Sequence, residues 1–346
     1  MGTEKYSTDD SNVKKVEPTF QHMSSFEYED PLYGTLKLSG APAQVIENPA
    51  VQRLKHIHQN GGVFLVNPDM DTTRFEHSLG VAALCKRFGA SEREVLAALL
   101  HDVGHTAFSH VADHVFDRTD QAFHEDEIWR IVTRYGLDKC LDSLGYDPDT
   151  VLEIERFSVL EQDLPHLCAD RLDYQLRDVY KYGLIDREDI NAILNDIILE
   201  GEQLVASDHD TAHTIVDISL LLQRQVYFNK ENEAANLILK SLIESALEQS
   251  ILTPDELFQT DQDVLNTLRS NAEFAETLDA LDQNLTVKQE PSQEGYSITR
   301  KRRTMNPCVA GTRQHISDLD STVARKIERF RDSIPLEQQY TITFTE

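Results

Sequence analysis

Four residues in this sequence have the types needed to hold one divalent ion: His77, His101, Asp102 and Asp170. Neutral imidazole and carboxylate are both good ligands, and two of each can converge from separate helices. The set is harder than a thiolate site and softer than an all-oxygen one. It suits one divalent transition metal (Mn, Fe, Zn, Ni or Co) better than Ca or Mg, although additional Mg can arrive with a phosphate substrate. Such an ion would lower the pKa of a bound water, polarise a phosphate oxygen and orient a substrate. The His101-Asp102 pair alone would equally suit a helix-terminal Asp beside a surface His. Its surroundings favour function, because His105, His110, Asp113 and His124 follow closely, a density that a solvated face does not need. These imidazoles could donate or accept protons near neutral pH, with Asp113 orienting one of them. Arg74, Arg171 and Lys230 could neutralise phosphate oxygens.

Three helices must position these groups. The apolar run 97–100 ends in His101-Asp102, with Gly104 where a helix would stop. Ser91 caps this helix, and Glu94 three residues on suggests a capping box. Upstream, apolar residues 75, 79, 82 and 83 mark the face of a helix that carries His77. Downstream, Asp170, Asp173, Tyr174, Arg177 and Asp178 fall at helical spacing. That face is either a solvated one laced with ion pairs or one turned into a polar cavity.

Around these the pattern predicts a strand or hairpin at 33–38, opened by a turn at Asp30-Pro31. A helix starts at Asn48-Pro49 and runs through His58 to Gly61-Gly62. Further helices are expected at 129–135, 151–155, 159–163, 186–199 and 211–247, with two or three short ones over 255–281. Residues 291–295 read as a loop, and 296–303 and 340–344 as strands. The expectation is a mainly α fold with a flexible tail over 1–24, a helical core over 25–250, and a small mixed α/β C-terminal subdomain over 251–346.

The 346 residues include 40% hydrophobic and 27% charged ones, as in an ordinary globular chain. A net charge of −27 argues against binding to nucleic acid or an anionic membrane, which need basic patches. An anionic substrate is still compatible, since a metal and a few cations can invert the field in one cleft. The basic run 301–303 would bind a nucleotide effector or pair with the acidic body. The four cysteines (85, 140, 168 and 308) form no C-x-x-C pair and suit a reducing compartment. Residues 1–17 have neither a signal peptide's apolar region nor a transit peptide's composition, and no run is apolar enough to span a membrane. A cytoplasmic location is expected.

The spacing of His77, His101-Asp102 and Asp170 resembles the HD superfamily of metal-dependent phosphohydrolases. The longer strings Asp30-Pro31-Leu32-Tyr33-Gly34, Arg74-Phe75-Glu76-His77-Ser78-Leu79-Gly80, His101-Asp102-Val103-Gly104-His105, Asp170-Arg171-Leu172-Asp173-Tyr174 and Val226-Tyr227-Phe228-Asn229-Lys230 are similar to the branch of SAM- and HD-domain deoxynucleoside triphosphate triphosphohydrolases. The resemblance covers residues 30–245. It implies an HD-type helical core and hydrolysis of a dNTP to deoxynucleoside and inorganic triphosphate. It implies metal ligation by His77, His101, Asp102 and Asp170, and a leaving-group acid at His124 oriented by Asp113. His105 would be a further catalytic residue, and His110 is expected among the substrate-binding ones. Arg74, Arg171 and Lys230 would contact phosphates, Tyr174, Asp178 and Tyr227 would surround the sugar, and Gln59 would read the 3′-hydroxyl. Relatives also imply a homo-oligomer, dimer or tetramer, with nucleotide effectors.

Several residues depart from the family pattern. Asn60 stands where relatives have Leu, Arg171 where Lys is frequent, Asn229 where His is frequent, and Phe228 where some have Gln. The first and last bear on sugar and base selection. No SAM domain is expected ahead of the core. Two other readings stay open: a phosphohydrolase for another nucleotide phosphoester (monophosphate, cyclic or alarmone), and a nucleotide-sensing protein without turnover.

Overall fold

The computed structural model describes residues 25–118, 121–283, 285–288 and 295–344. The expected tail at 1–24 and most of the expected loop at 291–295 lie outside them. The described chain is mainly helical, with three small sheets. No helix among the described residues is long and apolar enough to cross a membrane.

Strands β1 (Ser25–Asp30) and β2 (Gly34–Ser39) form the expected hairpin. The Asp30 carboxylate closes its turn by accepting from the amides of Leu32 and Tyr33. Asn48 caps a short helix at Pro49–Arg53, but the chain does not stay helical to His58. Ile57 is extended, because the backbone over 57–59 pairs with Thr72 and Arg74. Those bonds use groups that a continuing helix would have needed.

Helix α1 (Arg74–Arg87) starts at Thr73, which forms a full capping box with Glu76. A cap of this kind is worth about 1 kcal/mol. Helix α2 (Glu92–Leu100) is capped by Ser91, yet the expected box is absent. The Glu94 carboxylate instead accepts from the amides of Val159 and Leu160. The same bonds explain why 159–163 is a turn and not the expected helix. Helix α3 (Val111–Val115) and helix α4 (Phe123–Asp126) are short and flank the cavity described below. Helix α5 (Ala169–Lys181) packs against α1, and its polar face is buried: Asp173 is 0% and Asp178 1% exposed.

Over 186–199 the helix stops at Asn195, and Ile197 starts strand β3 (Ile197–Glu200), paired with β4 (Gln203–Ala206). The helical stretch expected over 211–247 is split. Helix α6 (His209–Leu222) runs into a π turn at Gln223–Tyr227, and Asn229 then caps helix α7 (Lys230–Glu248) by accepting from two amides. Short helices at Glu256–Phe258, Asp261–Arg269 and Ala272–Gln283 follow as expected.

Strands β5 (Leu285–Lys288) and β6 (Tyr296–Thr299) both pair with a later strand, β9 (Glu337–Phe344). The expected strand over 296–303 ends at Thr299, because Arg300 turns inward to the Glu233 carboxylate. Strands β7 (Cys308–Val309) and β8 (Gln314–His315) extend the β3–β4 pair, with Ala206 beside Val309 in a parallel bridge. The main apolar core lies under α1, α2, α5 and α6. A second packs α7 against residues 252–281.

Candidate metal centre and active-site cavity

Helices α1, the end of α2 and the start of α5 bring the four expected ligands together. His77 Nε2 lies 2.9 Å from Asp170 Oδ1 and 3.3 Å from His101 Nε2. His101 Nε2 is 3.6 Å from Asp170 Oδ1 and 3.5 Å from Asp102 Oδ1. His101 Nδ1 donates to the Ala98 carbonyl at 2.8 Å, which leaves Nε2 as the ligating nitrogen. His77 Nδ1 is likewise taken by Asp173 Oδ2 at 2.8 Å. Both imidazoles thus turn Nε2 toward the two acids.

Burial alone would hold His77 neutral. Its bonds to Asp170 and Asp173 and the Asp102 charge outweigh burial and raise it to about 10. Buried carboxylates therefore demand a positive charge at this point. A divalent ion meets that demand with the donor types present, so the residues fit a metal. Arg74 donates to Asp102 at 2.9 Å and to Ser109 Oγ at 2.9 Å, and its charge holds the Asp102 carboxyl well below its usual range against burial.

The loop after His101-Asp102 is held in a costly shape. Phe108 and Ser109 have left-handed backbone, with φ of 56° and 50°, at about 1 kcal/mol or more each. Remote groups hold them. Phe108 N donates to Asp261 at 2.7 Å, and Ala107 N to the Leu257 carbonyl at 2.8 Å. Arg53, buried, gives one guanidinium nitrogen to the carbonyls of Val103 and His105. Its other terminal nitrogen goes to Phe258 and Gln259.

A cavity of about 820 Å³ opens beside the four acids and imidazoles. His101, Asp102 and Asp170 reach its wall, while His77 is buried behind it. His105 and His124 stack at 3.8 Å between ring centres, and His105 Nε2 lies 3.3 Å from Asp102 Oδ1. Burial lowers His124 to about 3 and His110 to about 4, so both are neutral near pH 7. His124 Nδ1 is buried and has no hydrogen-bond partner among the described residues.

Asp113 does not bond the His124 ring as expected. Its carboxylate bonds His110 Nδ1 at 2.9 Å and accepts from the amide of Phe123 at 3.0 Å. It therefore supports the backbone that carries His124. Gln59, Arg74, Tyr174, Asp178 and Tyr227 all line the cavity. Tyr227 OH and Asn60 Nδ2 donate to Asp178 at 2.9 and 3.1 Å. Burial still raises the Asp178 carboxyl to about 6.

Two expected phosphate contacts are placed differently. Lys230 does not line the cavity, because it is the first residue of α7 and donates to the Val287 carbonyl. Arg171 lines the cavity, but its guanidinium is engaged by Glu161 and the carbonyls of Gln162 and His166. Glu161 and Arg303 are among the cavity residues that were missed. Burial and the nearby Asp170 charge raise Glu161 to about 7. Arg303 stands 5.9 Å from the Tyr174 ring centre and donates to Gln121. Its place in a basic run was the one sequence signal for it.

The sequence pattern of the HD domain family matches residues 74–160, which hold three of the four clustered acids and imidazoles. An uncharacterized protein of Bacillus subtilis, YdhJ, is 34% identical over 82% of this chain and 88% of its own length. The metal-dependent phosphohydrolase cns2 of Cordyceps militaris is 29% identical over 83% of this chain and 85% of its own. The human deoxynucleoside triphosphate triphosphohydrolase SAMHD1 is 39% identical, but over only 24% of this chain and 16% of its own. Among solved structures, a hypothetical protein from Aquifex aeolicus superposes with a TM-score of 0.69 at 21% identity, covering 92% of this chain and 96% of that one. A phosphohydrolase from Bacteroides thetaiotaomicron gives 0.68 at 20% identity, covering 93% and 100%. At these identities the likeness shows the fold.

Proposed function

We infer, for a chain that belongs to the HD-domain family of metal-dependent phosphohydrolases, that it hydrolyses deoxynucleoside triphosphates to deoxynucleoside and inorganic triphosphate. The observation that carries this is the stacked His105–His124 pair beside the His77, His101, Asp102 and Asp170 cluster. That pair stands at the wall of a cavity large enough for a nucleotide.

A divalent ion held by those four residues supplies an activated water and a polarised phosphate when bound. The chain's own groups do the rest. Arg74 and Arg303 set positive charge at the cavity wall, where a triphosphate can lie. In hydrolysis, water gives a hydroxyl to the α-phosphorus and a proton to the sugar 5′ oxygen as the P–O bond breaks. His124, with its free Nδ1, is the group to carry that proton. It is neutral without substrate, and the negative charge of an incoming triphosphate raises its proton affinity. Asp178, Tyr227 and Asn60 form a bonded polar group that suits a sugar hydroxyl.

A second reading has its own support. Lys230 lies outside the cavity and the Arg171 guanidinium is already engaged. Two of the three phosphate cations that the resemblance implies are therefore not placed as expected, although Arg300, Lys301 and Arg303 also line the cavity. That favours a smaller nucleotide phosphoester, such as a monophosphate or cyclic nucleotide.

One experiment separates the two. The purified protein, loaded in turn with Mn, Fe, Co or Mg, is incubated with each dNTP, NTP, monophosphate and cyclic nucleotide, and the products are resolved by chromatography. His101→Ala and Asp102→Ala serve as controls. Deoxynucleoside with inorganic triphosphate, absent from the controls, is the expected result. Turnover of monophosphates or cyclic nucleotides alone would replace it with the second reading.

A further inference from the structure

We propose that His166, Cys308 and His315 form a second metal site, separate from the cavity and suited to a zinc-class ion. Cys308 and His315 face each other as register partners across the β7–β8 hairpin. His166 comes from the turn just before α5, and its ring lies 4.8 Å from that of His315. One nitrogen from each ring and the Cys308 sulfur lie within 4.8 Å of one another. None of the three lines the active-site cavity.

The spacing agrees with tetrahedral ligation. His315 Nδ1 and Cys308 Sγ are 3.6 Å apart. Two ligands at about 2.0 and 2.3 Å from one ion, at a tetrahedral angle, stand about 3.5 Å apart. Without an ion, His315 Nδ1 donates to the Asn306 carbonyl at 2.6 Å. An ion at Nδ1 would shift that proton to Nε2 and replace the bond to Asn306. Burial pushes the Cys308 thiol up, so it too is protonated until a cation arrives. The neighbouring backbone is fixed: Asn306 N donates to the Pro165 carbonyl at 2.9 Å, and Asn306 also bonds Ser317. The hairpin and the turn are thus already in register around the three side chains.

One thiolate and two imidazoles select a borderline-soft ion. Zinc and cobalt fit, while Mg and Ca, which take oxygen ligands, do not. The site joins the hairpin to residue 166, whose carbonyl accepts from Arg171 Nη1 at 2.7 Å. Asp170 lies next to Arg171 in the chain. An ion here would therefore fasten the C-terminal hairpin to the segment that leads into the catalytic centre.

The test uses the full-length, reduced protein saturated with Co²⁺ and then freed of unbound ion. Bound cobalt is counted, and the thiolate-to-cobalt charge-transfer absorption in the near ultraviolet is recorded. The band should appear in the wild type and in Cys168→Ser. In Cys308→Ser it should vanish, with one equivalent of cobalt lost per chain. A folded, cobalt-saturated wild type without the band overturns the proposal, and so does a band unchanged in Cys308→Ser. If Cys308→Ser does not fold, His166→Gln decides, since it alters a half-buried side chain and keeps the thiol. Cobalt affinity read from the band should then drop roughly tenfold or more, and unchanged affinity sinks the idea.

Discussion

Asp173, with no exposed surface, accepts from His77 Nδ1 at 2.8 Å and thereby fixes which nitrogen of His77 faces Asp170. Arg177 holds Asp173 in turn, at 2.7 and 3.1 Å, and reaches Asp30 at 2.8 Å. Such outer carboxylates tune metal affinity by 10–100-fold. Asp173→Asn should therefore weaken metal binding by roughly that factor while leaving all four proposed ligands in place. Competition against a fluorescent chelator measures it, and unchanged affinity in a folded variant would refute the role.

Gly104 is the spacer between the His101-Asp102 turn and the His124 segment. A methyl group added there would come 2.1 Å from the His124 carbonyl oxygen, a backbone atom that cannot swing aside. Gly104→Ala should push His124 off its stack with His105. Displacements near 1 Å cost about a hundredfold in rate. The expected result is a kcat lowered by about that much with metal content retained. Loss of metal in parallel with activity would place the damage elsewhere.

Asp178 makes stability depend on pH. Its folded pKa, about 6, lies above the value near 3.9 of an unfolded Asp. Between those values the folded chain binds more proton, so stability falls as pH rises from about 4 to about 6 and stays reduced above. Asp178→Asn removes that penalty. It should stabilise the protein by about 3 kcal/mol at pH 8 and by far less near pH 4. Urea unfolding at both pH values reads the difference, and an equal effect at both would contradict it.

Arg303 lines the cavity with its guanidinium over the Tyr174 ring and one bond to Gln121. For an anionic substrate, Arg303→Ala should raise KM by roughly tenfold, with a smaller change in kcat. Steady-state kinetics on the substrate found in the nucleotide screen tests this. A kcat effect alone would move Arg303 from binding to catalysis.

The clustering of His77, His101, Asp102 and Asp170 was legible because its signals are local. His101-Asp102 sits at an apolar helix end, and His77 and Asp170 sit in the first turns of helices marked by Thr73 and Cys168. The chemical demands of those residues pick out few arrangements. What the sequence hid are long-range choices between equivalent partners. Glu94 could close a capping box or satisfy two amides at 159–160, and tertiary packing chose the second. Asp113 could reach His124 or His110, and a separation of three residues on one helical turn favoured His110. Lys230, expected at the phosphates from the resemblance alone, follows the π turn as the first residue of α7 and donates to the Val287 carbonyl. The β3–β4–β7–β8 sheet joins strands far apart in sequence, so no local pattern announces it.

The clamps on the catalytic loop have a consequence for the order of events in the cell. A ribosome releases the chain from its first residue onward, so His77, His101, Asp102 and Asp170 all emerge before Leu257 and Asp261. Until that later segment arrives, Arg53 lacks two of its carbonyl partners, and the left-handed turn at Phe108 lacks the Asp261 carboxylate that its amide donates to. A nascent chain that already carries every proposed ligand is therefore still unfinished as a catalyst. The last clamps on the 103–109 loop can therefore close only once residues 257–261 have been made, some ninety residues after Asp170.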